Sequence, residues 1–243
     1  MMSLLGKFAS HRAYREDRAL RKAATWDDLQ NMKPSGPPIR LSNNGLVVRY
    51  RDGIFVPEWI DDDWELLTSI DASTYSGPPT GWAESGVVGV VGGYIRVKGS
   101  GGGSSLTYTI GSLSAGDTVV LVLDGYGVAG SGGTDMAAVR LLDSIENGIA
   151  WFRIEYGDGN SYMLTGASYG GLMSGLDSRA RVCIVWSDET FWGVEMDGYR
   201  HWAAERGFTG SSGTDQVQFY VNSPADTSYI YLKTCHIYKG VLP

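Results

Sequence analysis

The stretch Ala180-Arg-Val-Cys-Ile-Val-Trp-Ser-Asp-Glu-Thr-Phe-Trp-Gly-Val-Glu-Met-Asp-Gly-Tyr-Arg-His-Trp202 decides the fold class. Arg181 to Trp186 is a strand-length run of β-branched and aromatic residues, with Val182, Ile184 and Trp186 on one face and Arg181, Cys183 and Val185 on the other. Ser187-Asp188-Glu189 reads as a polar turn, Phe191 to Met196 as a second strand, and Asp197-Gly198 as a tight turn into a third run that begins at Tyr199. Two successive hairpins make a meander in an antiparallel sheet. One face of that meander must be core, because the run is too apolar to meet water on both sides.

The same punctuation extends through most of the 243 residues. Gly is 34 of these, about twice the usual share, and the glycines separate short apolar runs. Strands are expected at 64–70, 86–91, 94–98, 105–110, 118–123, 137–142, 149–156, 161–164, 181–186, 191–196, 216–221 and 229–238. Gly-rich loops are expected at 99–103, 125–133, 166–175 and 207–213. A dozen strands without a helical period between them predict an all-β protein, an antiparallel β-sandwich.

The first 60 residues differ. Residues 10–32 are rich in helix formers, with Thr25 placed to cap a restart and Asp27-Asp28 in its first turn. A helix over 10–32 is therefore expected, ended by Pro34, Pro37 and Pro38. Residues 39–57 read as three short strands joined by Asn43-Asn44-Gly45 and Arg51-Asp52-Gly53. A sheet this small buries little alone, so its completion by other chains is expected. The domain organisation that follows is an attachment segment, 1–60, and a sandwich domain, 61–243.

Charge divides along the same line. Residues 1–57 hold ten Lys/Arg and five Asp/Glu, net +5; the remainder holds ten and twenty-two, net −12. An acidic body argues against nucleic acid as a partner. No apolar run approaches the roughly 20 residues of a membrane span, so no membrane insertion is expected. Cys183 and Cys235 fall in expected strands, where buried free thiols are the ordinary outcome.

From 64 onward the order of features resembles the concanavalin-like (laminin-G-like) jelly roll. It is carried by the long strand Asp117 to Leu123, the strand Ile149 to Tyr156 closing on Gly157-Asp158-Gly159, the 181–198 meander, and the long last strand from Tyr229 to Tyr238. Such domains are often lectins or adhesion modules. The segment Trp26-Asp27-Asp28-Leu29, the proline break, and Gly45-Leu46-Val47-Val48-Arg49-Tyr50-Arg51-Asp52-Gly53-Ile54-Phe55-Val56-Pro57 resemble a pattern near the start of bacteriophage tail and head fibre proteins, with Phe55 and Val56 where that pattern carries Trp. The two resemblances together imply a virion structural protein (fibre, spike or decoration component), made in a host cytoplasm and joined to other virion proteins as a homotrimer. Arg12, Arg15, Arg18, Arg21 and Trp26 would attach it to the particle, and its outward jelly roll would bind a host-surface glycan. A bacterial carbohydrate-binding or adhesion module is the alternative, and a glycoside hydrolase a third reading.

Sugar sites need aromatic faces beside polar groups. Tyr126, Tyr169, Trp192, Tyr199 and Trp202, in or beside expected loops, are the candidate ligand residues. No catalytic set is legible. Glu195 and Asp197 share a strand face at i, i+2 but lack the third acid of the hydrolase strand pattern, and His11, His201 and His236 are far apart. No metal or cofactor is expected. Asp158, Asn160 and Asp188 fit calcium-binding loops of some relatives of the fold, but turn-forming Asp/Asn is the favoured reading.

Overall fold

The computed structural model describes residues 21–23, 25–26, 28–29, 32, 36–42, 45–111, 113, 116–130, 135–142, 148–156, 160–165, 168–174, 180–186, 190–196, 200–205 and 216–241; for most of 148–205 it describes backbone and strand pairing. The strands in chain order are β1 (Arg21–Ala23), β2 (Ile39–Leu41), β3 (Val47–Arg51), β4 (Ile54–Pro57), β5 (Glu65–Asp71), β6 (Trp82–Ser85), β7 (Val87–Val91), β8 (Tyr94–Lys98), β9 (Gly102–Thr109), β10 (Thr118–Val128), β11 (Met136–Leu142), β12 (Gly148–Tyr156), β13 (Asn160–Thr165), β14 (Ser168–Ser174), β15 (Ala180–Trp186), β16 (Thr190–Glu195), β17 (Arg200–Glu205), β18 (Gln216–Ser223) and β19 (Tyr229–Gly240).

Two large antiparallel sheets form the sandwich. One runs β17-β16-β15-β10-β19-β8-β7, with β5 also paired to β19; the other runs β14-β13-β12-β11-β18-β9-β6. The period-2 pattern of β10 explains why the layers close. Val119, Leu121 and Leu123 join Ile184, Cys235, Ile237, Val217, Phe219 and Val221 in one core between the sheets. Ile184 is fully buried there, and Val182 and Trp186 stand in register opposite Leu123 and Val119. The meander of 180–205 pairs as the sequence indicates.

Three boundaries depart from the sequence reading. Residues 166–175, expected as a loop, include β14, which pairs with β13. β10 does not stop at Leu123 but continues through Asp124-Gly125-Tyr126-Gly127 to Val128, because β19 pairs along its whole length. β6 was not anticipated; its Trp82 stacks on Phe219 and donates from Nε1 to Thr68 Oγ1 at 2.9 Å.

The N-terminal region is also revised. Residues 10–20 of the expected helix lie outside the described residues. Arg21–Ala23 is a strand, pairing in parallel with β2. The Thr25 signal is real: Thr25 Oγ1 and N both donate to Asp28 Oδ2, at 3.0 and 2.8 Å, a reciprocal cap. What it caps is one short turn at Asp28 and Leu29. The Asp52-Gly53 turn forms as expected, with φ of 51° and 89°, the left-handed pair that a two-residue hairpin requires.

The sheet β1-β2-β3-β4 does not wait for another chain to cover it. Its Ile39, Leu41, Val48 and Val56 pack with Val120, Val122, Cys183, Met196 and Tyr238, which lie on the face of the β10 sheet opposite the inter-sheet core. Along this part of β10 both faces are therefore buried. Arg51 fastens the layers: its guanidinium lies 5.2 Å from the Tyr238 ring centroid and donates to the carbonyls of Asp61 and Trp64. His236 Nε2 donates to Asp52 O at 3.0 Å across the same seam. Cys183 and Cys235 are both buried free thiols on the strands flanking β10, one in each core, and so face opposite sides of one sheet.

Candidate functional site

The outward face of β10 changes chemistry along its length. Val120 and Val122 lie under the small sheet, Asp124 follows, and Tyr126 and Val128 emerge beyond its cover. The change coincides with a bulge. β10 and β19 shift register between Asp124 and Gly125, with Lys233 as the extra residue of β19. Gly125 is obligatory at this point, since a Cβ there would come within 2.4 Å of the Tyr231 carbonyl oxygen. At the same residue β19 exchanges neighbours, from β8 before the bulge to β5 after it.

Past the bulge, register builds two rows of outward positions across four strands. One is Gly89-Arg96-Tyr231-Tyr126 and the other Val87-Lys98-Tyr229-Val128, each reading β7, β8, β19, β10. Tyr94 stands two positions along β8 from Arg96. The four tyrosines form one cluster. Tyr126 and Tyr231 stack at 4.7 Å and 20°, Tyr94 meets both edge-on at 5.6 and 6.1 Å, and Tyr229 lies 5.9 Å from Tyr231. All four are half-buried. The Arg96 guanidinium sits 5.8 Å from the Tyr229 centroid. Val87, Val91 and Val128 border the cluster, exposed at 39%, 42% and 38%, so it opens to solvent.

Cross-strand rings on one sheet face present apolar ring surface beside hydroxyl groups. Tyr229 Oη donates to Asp226 O, while the hydroxyls of Tyr94 and Tyr231 have no partner among the described residues. Four strands span roughly 14 Å, a surface long enough for a short oligosaccharide. The arrangement suits a ring-shaped polar ligand: apolar ring faces for C–H faces and hydroxyls for hydroxyls.

A groove of about 330 Å³ adjoins the cluster, between the small sheet and β10. It is lined by Trp26, Phe55, Asp124, Arg181, Met196 and Lys233, among others. Arg181 Nε lies 3.8 Å from Asp124 Oδ2, and its guanidinium 5.9 Å from the Trp26 centroid. Trp26 thus packs against the protein's own sandwich.

Of the other residues singled out in the sequence, Tyr126 is in the cluster. Trp192 lies in the register row of Val120 and Val185, whereas Trp202 shares a row with Gly193, Ile184 and Leu121, the last two in the inter-sheet core. Tyr169 is opposite Leu164 on β14. Tyr199, Arg12, Arg15, Arg18, Asp158, Asp188 and Asp197 lie outside the described residues; Arg21 is in β1, Asn160 opens β13 and Glu195 closes β16. Tyr94, Tyr229 and Tyr231 were missed. They sit in correctly read strands, Tyr94 alternating with Arg96 and Tyr229 with Tyr231, and only register brings them together.

No protein-family model matches the chain, and no curated protein does. Solved structures resemble it at low identity. A sialidase matches with a TM-score of 0.56 and 12% identity over 82% of this chain and 22% of its own length. A carbohydrate esterase from the Shiga toxin-encoding bacteriophage phi24B matches with 0.51 and 14%, over 73% of this chain and 99% of that one. The carbohydrate recognition domain of Emp47p matches with 0.50 and 12%, over 71% and 95%. At such identities the likeness is one of fold, and the fold it shows is the concanavalin-like jelly roll.

Proposed function

We propose that this chain is a non-catalytic carbohydrate-binding module whose ligand surface is the tyrosine cluster of Tyr94, Tyr126, Tyr229 and Tyr231. The observation that carries this is the cluster itself: four rings with hydroxyl edges, held by three adjacent strands on an open face of a lectin-type sandwich. The rigid sheet fixes the rings before a ligand arrives, which limits the entropy lost on binding. Replacing Tyr231 by Ala removes the ring that touches the other three. The expected result is loss of about 1–2 kcal/mol, a roughly 5- to 30-fold weaker glycan affinity. Undiminished binding by Tyr231→Ala refutes the site, and turnover of a bound glycan refutes the non-catalytic reading.

A place on a bacteriophage particle is a second reading, favoured by the charge asymmetry of the sequence, +5 over residues 1–57 against −12 beyond. In it residues 1–20, with Arg12, Arg15 and Arg18, attach a homotrimer to other virion proteins while the tyrosine face meets a host glycan, and many copies on one particle supply the avidity that one weak site lacks. Deleting residues 1–20 would then abolish incorporation into particles and leave glycan binding intact; incorporation without them overturns this placement.

A further inference from the structure

We propose that the tyrosine cluster selects acidic saccharides, with Arg96 pairing with a ligand carboxylate. The inference rests on the glycan-binding reading and adds the ligand class. Arg96 occupies the middle of the Gly89-Arg96-Tyr231-Tyr126 row. Two other cations of this sheet are committed differently. Lys98 lies 3.6 Å from Asp226, and Arg181 lies 3.8 Å from Asp124, each cation with its own carboxylate. Arg96 makes no ion pair among the described residues; its one ring contact is the face of Tyr229, and its Nε is buried without a hydrogen-bond partner. A guanidinium held against a ring, with its fork free of protein carboxylates, is the group that recognises a planar carboxylate in bidentate fashion.

The strand beside it leaves room. Gly89 of the edge strand β7 is the register partner of Arg96, and a Cβ placed there would meet nothing within 4 Å. Val87 and Val91, both exposed, flank this notch. A sugar lying along the row can therefore place its ring against Tyr231 and Tyr126 and its carboxylate over Gly89, against Arg96. The body of the protein is strongly acidic, net −12 beyond residue 57, so an anionic ligand gains nothing from long-range attraction. Its selection has to come from this local cation, and should weaken only modestly with added salt.

The test uses the full chain on an array of uronate-bearing, sialate-bearing, sulfated and neutral oligosaccharides, followed by calorimetric titration with the best ligand and with oligogalacturonate. Carboxylate sugars should be preferred. Arg96→Gln should weaken them about 10- to 100-fold, a much larger loss than for neutral sugars. Gly89→Glu, which supplies a competing carboxylate from the edge strand and alters no residue of the cluster, should weaken the same ligands, so the outcome does not hang on one variant folding. Neutral sugars bound as tightly as acidic ones, with Arg96→Gln silent, overturn the acidic assignment and leave the carbohydrate-binding reading standing. Preference for sulfate esters over carboxylates overturns the carboxylate pairing. Absence of binding to every sugar on the array overturns both.

Discussion

Truncating Leu41 to Ala should open the small N-terminal sheet without opening the sandwich, and the two cysteines can report the difference. Leu41 is fully buried in the core that the small sheet shares with Val122, Cys183 and Tyr238. Removing its side chain should cost about 2–5 kcal/mol. Cys183 lies in that core, and Cys235 lies in the core between the large sheets. Burial raises both thiol pKa values, so neither reacts while its cover is in place. If the sheet lifts as a local unit, the population with Cys183 exposed rises with the full energetic loss, about 30- to 4,000-fold at 1.4 kcal/mol per tenfold. Cys235 should keep its original rate. The assay is labelling by a thiol reagent at neutral pH, read by peptide mass spectrometry at each cysteine over time. Equal acceleration at both sites would mean that the small sheet and the sandwich unfold together. No acceleration at Cys183 would mean that the small sheet does not cover it.

Other outcomes follow from the same packing. His236 is buried, with its Nδ1 unpartnered, and burial lowers its pKa despite the opposing hydrogen bond to Asp52 O and the charges of Asp52 and Asp71. The unfolded chain therefore takes up a proton that the folded one resists, and stability should fall as pH drops below about 6.5. His236→Gln should flatten that limb in urea titrations at several pH values; an unchanged limb places the acid sensitivity elsewhere. Gly125→Ala drives a Cβ to 2.4 Å from the Tyr231 carbonyl oxygen, and should cost about 1–3 kcal/mol and shift the Tyr126–Tyr231 stack, visible as a lower melting temperature and a changed near-ultraviolet tyrosine signal. Treatment with a reductant should leave the melting temperature unchanged, because Cys183 and Cys235 occupy opposite faces of one sheet; a drop would reveal a disulfide.

Strands were legible wherever alternation was strong and turn residues bounded it. β8 (Tyr94–Lys98) and β19 from Tyr229 onward could be read directly. β10 was cut short because Asp124-Gly125 and Gly127 carry the chemistry of a turn, yet pairing with β19 and the bulge at Lys233 keep them in a strand. Arg21–Ala23 is made of helix formers, and a parallel ladder with Ile39–Leu41 outweighs that preference, with Ala23 buried in the shared core. The three short strands at 39–57 were readable, but not their resting place, because a sheet's apolar side does not say which surface it will cover. The site was the least legible. Tyr126 was picked out as a residue beside a loop, whereas its neighbours Tyr94 and Tyr231 come from strands far away in sequence, and a pairing register with a bulge in it is invisible to periodicity.

The position of β19 governs when this protein can fold. Between Tyr229 and Gly240 it hydrogen-bonds β10 on one side and both β8 and β5 on the other, filling a central place in its sheet. A ribosome therefore delivers the middle of the structure after its edges. Until Gly240 has cleared the exit tunnel, β5, β8 and β10 have an empty lane between them, with their ladder groups and the apolar side chains of Leu121 and Ile95 open to other nascent chains. Closure must then join the beginning and the end of the sandwich at once, which makes it slow and leaves the unfinished chain dependent on protection while it waits.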